Sequence, residues 1–232
     1  MRKICKSEKV PLSLQQAPTP TRKEEVRADI YKAEDVRDQL VADQYNKCAY
    51  CECIVTKQYN DVDHFRPKDK YYWLGHKWDN LFYSCDLCNR TYKKNHFPLV
   101  DESTRGNIAK EKPLIINPSI EEPLEHIRFN RFMIVPREIN GIVDKKGETT
   151  IRLFHLNDRH ERSILVYERE QLYEDYIQEI KKRTIAEIII QSDVSEDIKQ
   201  SAYVILQCCD QSIAKMKSPS RAFSGMLLDI NK

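Results

Sequence analysis

Four cysteines in two pairs are the residues whose spacing most clearly indicates chemistry. Two residues separate the cysteines within each pair, and 33 residues separate the pairs. A tetrahedral zinc ion needs four soft ligands, and two knuckles of this kind supply them from short turns. The sequence therefore predicts a structural zinc ion, with no coordination position left for catalysis, whose ligands are Cys48, Cys51, Cys85 and Cys88.

The other cysteines leave two questions open. Cys53 lies near enough to replace Cys51 as a ligand, although we interpret it as a non-ligand. The eight cysteines would also permit disulfides. Because the amino terminus has no apolar signal region and no stretch has the length of a membrane span, we expect a cytoplasmic protein with reduced thiols. Reduced thiols favour metal binding over disulfide pairing.

Acid–base and hard-ligand residues accompany the knuckles. Asp63 and His64 lie between the two cysteine pairs, and Asn89 follows the last cysteine directly. A neutral imidazole near pH 7 can take a proton from water, which makes the hydroxide that attacks phosphorus. Mg²⁺ prefers oxygen ligands and keeps several waters, so two protein ligands suffice. We predict His64 as general base, and Asp63 and Asn89 as ligands of a catalytic Mg²⁺ or Mn²⁺ ion.

Positive charge is concentrated around these residues. The net charge of the chain is only +2, which argues against a global basic footprint. Residues 64–97 nevertheless carry seven Lys or Arg against three acids. Four basic side chains are therefore candidates for contact with substrate phosphate, although a solvated helix face would have the same composition; they are Arg66, Arg90, Lys93 and Lys94.

The order of Asp63-His64, Asn80 and Cys88-Asn89 resembles the HNH endonucleases. That resemblance implies an α+β fold with a zinc-stabilised ββα-metal (HNH) core, an N-terminal helix and a mainly helical C-terminal part. It also implies hydrolysis of nucleic-acid phosphodiester bonds, with Asn80 steadying the loop that carries His64. The family often has histidine where this chain has Asn89, so His96 stays open as a competing metal ligand.

A narrower resemblance rests on several short segments, from Asp63 to Lys68, from Trp78 to Leu81 and from Phe97 to Leu99. These segments resemble the PtuB family, the HNH effectors of Septu anti-phage systems, some of which are attached to retrons. The resemblance implies a PtuA-type ATPase partner and, in retron-linked systems, a reverse transcriptase with its RNA–DNA product. The substrate stays open between DNA, which we favour, and RNA such as tRNA. A non-catalytic zinc module that binds nucleic acid or protein is the alternative.

Several elements must position these residues. Prolines among the first 20 residues indicate an arm, and apolar residues at steps of three or four predict a helix from about 22 to 44. We interpret residues 48–66 as a hairpin that ends at His64. A helix is predicted from 85 to about 95, with Asn89 and the neighbouring basic residues on one polar face and His96 further along it.

Beyond residue 100 the sequence predicts a loop-rich region, a small accessory hairpin within 126–143 and two long amphipathic helices at about 158–190 and 195–216. The domain division that we infer has three parts: an arm at 1–20, a nuclease domain at 21–112, and an accessory region at 113–232 whose helices are expected to dock a partner.

Overall fold

The structure is a computed structural model that describes residues 1–56 and 60–230. It combines helices with small two-stranded antiparallel sheets. The α-helices are α1 (Leu12–Gln15), α2 (Ala28–Tyr31), α3 (Glu34–Asp43), α4 (Lys145–Leu153), α5 (Ser163–Gln191), α6 (Glu196–Met216) and α7 (Met226–Asp229). The strands are β1 (Asn60–His64), β2 (Leu81–Cys85), β3 (Ile127–Asn130), β4 (Met133–Pro136), β5 (Glu138–Ile139) and β6 (Ile142–Val143). A π-helix spans Leu87–Lys93, and short 3-10 turns lie at Lys23–Glu25, Tyr72–Leu74, Trp78–Asn80, Glu102–Thr104 and Pro123–Glu125.

Strands β1 and β2 form the sheet that carries the predicted site. They pair antiparallel, with Asp63 opposite Phe82 and His64 opposite Leu81. The predicted strand that ends at His64 is present, but the prediction of a hairpin within 48–66 is wrong, because the partner strand follows a long loop. The chain after Cys48 turns back on itself instead, and the bridge between Lys47 and Ile54 closes that turn.

The helix after β2 is shorter than predicted and has a different geometry. Its backbone bonds follow the π pattern, for example from the Lys94 amide to the Asn89 carbonyl at 2.8 Å. Lys94 then adopts φ 47°, which ends the helix. His96 therefore lies beyond the helix and is exposed, so the predicted placement of His96 on the same helical face as Asn89 is wrong.

The N-terminal segment differs from the two sequence predictions. Met1, Ile4 and Leu14 are buried, so the expectation of an unpacked arm is wrong. The single helix predicted over 22–44 is also wrong. Its pattern is broken at Arg27 and at Ala33, whose backbones are not helical and which directly precede α2 and α3. The segment therefore forms separate short helices, of which α3 packs against β2, instead of continuing as one rod.

The C-terminal part agrees more closely with the sequence. Strands β3 and β4 form a hairpin, and β5 and β6 form a second one through Asn140 and Gly141, both with positive φ as a tight hairpin turn requires. The two long helices are confirmed as α5 and α6, while α4 lies in a region predicted to be loop. No helix within residues 1–56 and 60–230 has both the length and the apolar character needed to cross a membrane.

The two predicted domains share one hydrophobic cluster. Tyr50, in the first cysteine knuckle, stacks on Phe154 just after α4, with the ring centroids 4.2 Å apart. Both rings are fully buried. The predicted boundary at residue 112 therefore does not separate two hydrophobic cores, and the domain division itself stays a prediction.

Candidate functional site

The four predicted zinc ligands converge in the structure. The sulfur atoms of Cys48, Cys51, Cys85 and Cys88 all lie within 4.8 Å of one another. The Cys51 and Cys85 sulfurs are 3.8 Å apart, which matches the roughly 3.8 Å edge of a tetrahedron with the usual Zn–S bond length. The cluster therefore fits zinc, which would cross-link the two knuckles and the start of the π-helix.

Two further contacts support this fit. The Cys88 amide donates to the Cys85 sulfur at 3.5 Å, which stabilises a thiolate. The buried Arg162 guanidinium donates to the Cys88 sulfur at 3.5 Å and to the Phe154 carbonyl at 3.0 Å. Four thiolates around a divalent ion carry a net negative charge, and Arg162 offsets part of it. Cys53 lies outside the group of four, 3.2 Å from the Cys51 sulfur.

Asn80 ties down the loop between β1 and β2. Its side-chain oxygen accepts a hydrogen bond from the Arg66 amide at 2.8 Å, and its amide nitrogen donates to the carbonyls of Arg66 and Leu74. Asn80 is buried, so these bonds are shielded from water. They are the loop-steadying bonds expected from the sequence, and the effect of Asn80 on any reaction stays a prediction.

His64 is held at the end of β1 by one ring nitrogen. Its Nε2 lies 2.9 Å from the Gly75 carbonyl oxygen, which can only accept, so Nε2 carries the proton and Nδ1 has the free lone pair. The Tyr31 ring meets the imidazole edge-on at 4.5 Å. Burial lowers the pKa of His64 to about 3, which keeps the ring neutral at pH 7. A neutral imidazole with a free nitrogen can accept a proton.

Asp63 is not free to bind a hydrated cation in this conformation. Its carboxylate accepts a hydrogen bond from the Tyr50 hydroxyl at 2.5 Å and forms an ion pair with the Lys93 ammonium at 3.0 Å. Only 3% of Asp63 is exposed. Asp63 and His64 are consecutive residues of one strand, and their side chains have different neighbours. The pair Asp63 and Asn89 therefore does not fit a Mg²⁺ ion that keeps several waters.

The remaining predicted residues are dispersed. Asn89 is half-buried on the π-helix, one turn before Lys93. Lys93, predicted as a candidate phosphate contact or as part of a solvated helix face, has no exposed side-chain surface and pairs with Asp63, so in this conformation it fits neither role. Arg66 pairs with the buried Glu111, and Arg90 with Asp61.

Of the four candidate phosphate contacts, Arg90 and Lys94 are exposed. Lys94 follows the π-helix directly.

Sequence reasoning missed the groups that surround the predicted residues. Tyr31, Gly75 and Arg162 carry no motif; Tyr31 and Arg162 reach the site from other parts of the chain, and Gly75 lies in the loop after β1. Tyr50 had a weak signal, since it lies within the first cysteine pair. Contacts of this kind depend on tertiary packing, which spacing along the sequence does not encode.

Substitution of one cysteine ligand tests the assignment of the cysteine cluster as a zinc site. We expect the purified chain to hold about one zinc ion and Cys85→Ser to lose it and to unfold, because structural zinc contributes directly to folding. Elemental analysis and thermal melting measure both effects. Cys208→Ser is the matched control, since Cys208 is exposed and outside the cluster. A Cys85→Ser protein that melts like the wild type would contradict the assignment.

Close packing at Gly75 gives a second prediction. A Cβ at this position would lie 2.5 Å from Cγ1 of Val26, so Gly75→Ala must displace the loop whose carbonyl holds His64. We expect a loss of about 1–3 kcal/mol in the free energy of unfolding. Val26→Ala makes room for the new Cβ, so the double variant should lose less unfolding free energy than the two single variants together. Urea unfolding of the wild type, the two single variants and the double variant measures this. Strictly additive losses would show that the contact with Val26 does not cause the destabilisation.

The lowered pKa of His64 predicts a pH effect on stability. Because folding lowers the pKa of His64 from its ordinary value of 6.5 to about 3, the unfolded chain takes up a proton below pH 6.5 while the native state does not. The stability of the native state that is present above pH 6.5 is therefore progressively lost as the pH falls toward about 3. Wild type should therefore lose up to about 1.4 kcal/mol more per pH unit over this range than His64→Gln, which cannot titrate. Urea unfolding at pH 7 and pH 5 measures the difference. Parallel curves for the two proteins would refute the burial of a neutral imidazole.

Comparison with known proteins places the chain. No model of a known protein family matches it. Septu protein PtuB of Bacillus mycoides (strain KBAB4) is 31% identical over 230 residues, which cover 87% of this chain and 75% of that protein. Septu protein PtuB of Bacillus thuringiensis is 32% identical over 139 residues, 59% of this chain and 46% of that protein. On the first of these similarities, the chain belongs to the family of Septu protein PtuB.

Proposed function

We propose that this chain is an HNH-type endonuclease that hydrolyses phosphodiester bonds of nucleic acid as the effector of a Septu anti-phage system. Membership of the PtuB family supports the defence role. The succession of β1, β2 and a helix beside a four-cysteine cluster supports the ββα-metal architecture. Together they favour a nuclease core within residues 21–112.

The observation that carries the proposal is the state of His64. The ring is neutral, it is oriented through Nε2 by the Gly75 carbonyl, and its Nδ1 retains a lone pair. A fixed tautomer with a free ring nitrogen is what a general base that activates water requires, whereas a pKa of about 3 makes the ring a weak base in this conformation. A phosphate anion beside the ring would favour the protonated form and raise the pKa of His64 toward the working range. Hydrolysis by this route is expected to leave 5′-phosphate and 3′-hydroxyl ends.

The two proposed metal sites differ in how well the described conformation fits them. Zinc fits the cysteine cluster, where it would hold the knuckles together without taking part in the reaction. The catalytic Mg²⁺ or Mn²⁺ ion proposed for Asp63 and Asn89 does not fit the conformation described above, because Lys93 and Tyr50 already satisfy the Asp63 carboxylate. We therefore derive no catalytic step through that ion.

Partners follow from the same family membership. We propose a complex with a PtuA-type ATPase and, where a retron is linked, with its reverse transcriptase and RNA–DNA product. Helices α5 and α6 offer exposed apolar side chains for docking, among them Ile185, Ile188 and Val204. The small residues Ala186 and Ala202 are buried on the same two helices. Larger apolar side chains of α5, such as Leu172 and Tyr176, are buried as well, so the side chains available to a partner are the exposed ones.

One observation favours a second candidate function. Because Lys93 pairs with the Asp63 carboxylate and both residues are buried, the chain could act as a zinc module that binds nucleic acid or protein without cutting it. The substrate of the nuclease function also stays open between DNA, which we favour, and RNA.

A nicking assay tests the nuclease proposal. Supercoiled plasmid, single-stranded DNA and total RNA are incubated with the chain, alone and in its co-purified complex, with Mg²⁺ or Mn²⁺. We expect His64→Ala to reduce cleavage at least 100-fold, since a general base contributes about that much. The His64→Ala protein should keep its zinc.

His160→Ala is the matched control, because His160 is an exposed histidine outside the site. It should cut like the wild type. Full activity in His64→Ala would refute the assignment of the base, and binding without cleavage in every preparation would favour the non-catalytic module.

A further inference from the structure

A buried lysine is the most unusual charged group next to the proposed site. The Lys93 ammonium lies 3.0 Å from each oxygen of the Asp63 carboxylate and 2.6 Å from the His64 carbonyl oxygen. An ammonium has three protons to donate, and these three acceptors can take them all. Lys93 thus behaves as an internal cation bound by oxygen ligands, which is the environment that a hard metal ion prefers.

Occupation by Lys93 and binding of a divalent ion at Asp63 exclude each other. One carboxylate oxygen also accepts the Tyr50 hydroxyl, and the ammonium and the hydroxyl together occupy the polar surroundings of the carboxylate. Tyr50, Asp63 and Lys93 are all buried, so the hydration waters of Mg²⁺ would have no space beside them. A divalent ion can reach Asp63 only after the ammonium has left.

The backbone around Lys93 could allow its ammonium to move away from Asp63. Lys93 is the last residue of the π-helix, and π-helical turns are rare and are frequently found at functional sites. The next residue, Lys94, has φ 47° and ψ −117°, which is strained for any residue other than glycine. Relaxation of the π-turns to α-helical turns would release this strain, and it would also rotate Lys93 about the helix axis, away from Asp63.

We propose that Lys93 is a latch whose ammonium occupies Asp63 and excludes a divalent cation, so that the described conformation is a resting state. The proposal rests on the proposed nuclease function, since it concerns the cation that this function would require. Opening exchanges the ammonium for the metal and leaves the zinc cluster intact. Regulation is thereby built into the helix that also carries Cys88 and Asn89.

Binding of Mn²⁺ alone, in the absence of nucleic acid, tests the latch. Electron paramagnetic resonance measures free Mn²⁺ in titrations of zinc-loaded wild type and Lys93→Met. We expect Lys93→Met to bind Mn²⁺ at least tenfold more tightly, and Asp63→Asn to abolish that gain when it is added to Lys93→Met. Lys77→Met is the matched control, because it removes an equal charge from an exposed position in the same module. Equal affinity of wild type and Lys93→Met would overturn the proposal.

A second pair of variants keeps the test decisive if Lys93→Met leaves Asp63 unpaired and fails to fold. Lys94→Gly removes the strain of the closed form, and Lys94→Ala removes the same charge but retains the strain. We expect Lys94→Gly to bind Mn²⁺ about fivefold more weakly than Lys94→Ala and to melt at a higher temperature. Identical Mn²⁺ affinities for these two variants would also overturn the latch.

The nuclease assay separates the two proposals. Tighter Mn²⁺ binding by Lys93→Met without cleavage by any protein would support the latch and refute the nuclease. Cleavage by wild type together with unchanged Mn²⁺ binding in the variants would do the reverse.

Discussion

Compensation of buried charge is the constraint on which this structure depends. Four cysteine thiolates within 4.8 Å of one another would repel strongly without a cation, and a zinc ion offsets only half of their charge. The Arg162 guanidinium supplies further positive charge at the Cys88 sulfur. Because Arg162 directly precedes α5, the start of this long helix is fixed to the metal cluster. The C-terminal part is therefore coupled to the cysteine cluster electrostatically as well as through packing.

The same constraint governs the charged groups around β1. Asp63 and Lys93 form a buried pair, and burial raises the pKa of Asp63 and lowers that of Lys93. Removing one member of such a pair costs far more than removing both, because the remaining charge is left uncompensated. A second buried pair, Lys47 with Glu52, lies beside the first knuckle. These pairs add little to stability in themselves, but in the described conformation they link the strand to the π-helix and the first knuckle to the residue that precedes it.

Sequence reasoning found the residues that are identified by type and spacing. The four cysteines converge as predicted because two short knuckles can meet at one ion whatever lies between them. The strand that ends at His64 and the helices α5 and α6 follow from local periodicity. Strand pairing, the break in the helix predicted over 22–44 and the burial of Lys93 could not be predicted. Each depends on contacts between distant residues, such as the Arg27 amide with His76 or Lys93 with Asp63.

The adjacency of Asp63 and His64 in the sequence shows how a motif can combine two separate environments. On a strand, consecutive side chains point to opposite faces, and here one face meets Lys93 and Tyr50 while the other meets Tyr31 and the Gly75 carbonyl. The π-helix reaches both, because Lys93 binds the Asp63 carboxylate and also the His64 carbonyl oxygen. A rotation of that helix would therefore change the ligand of the carboxylate and the backbone support of the imidazole together.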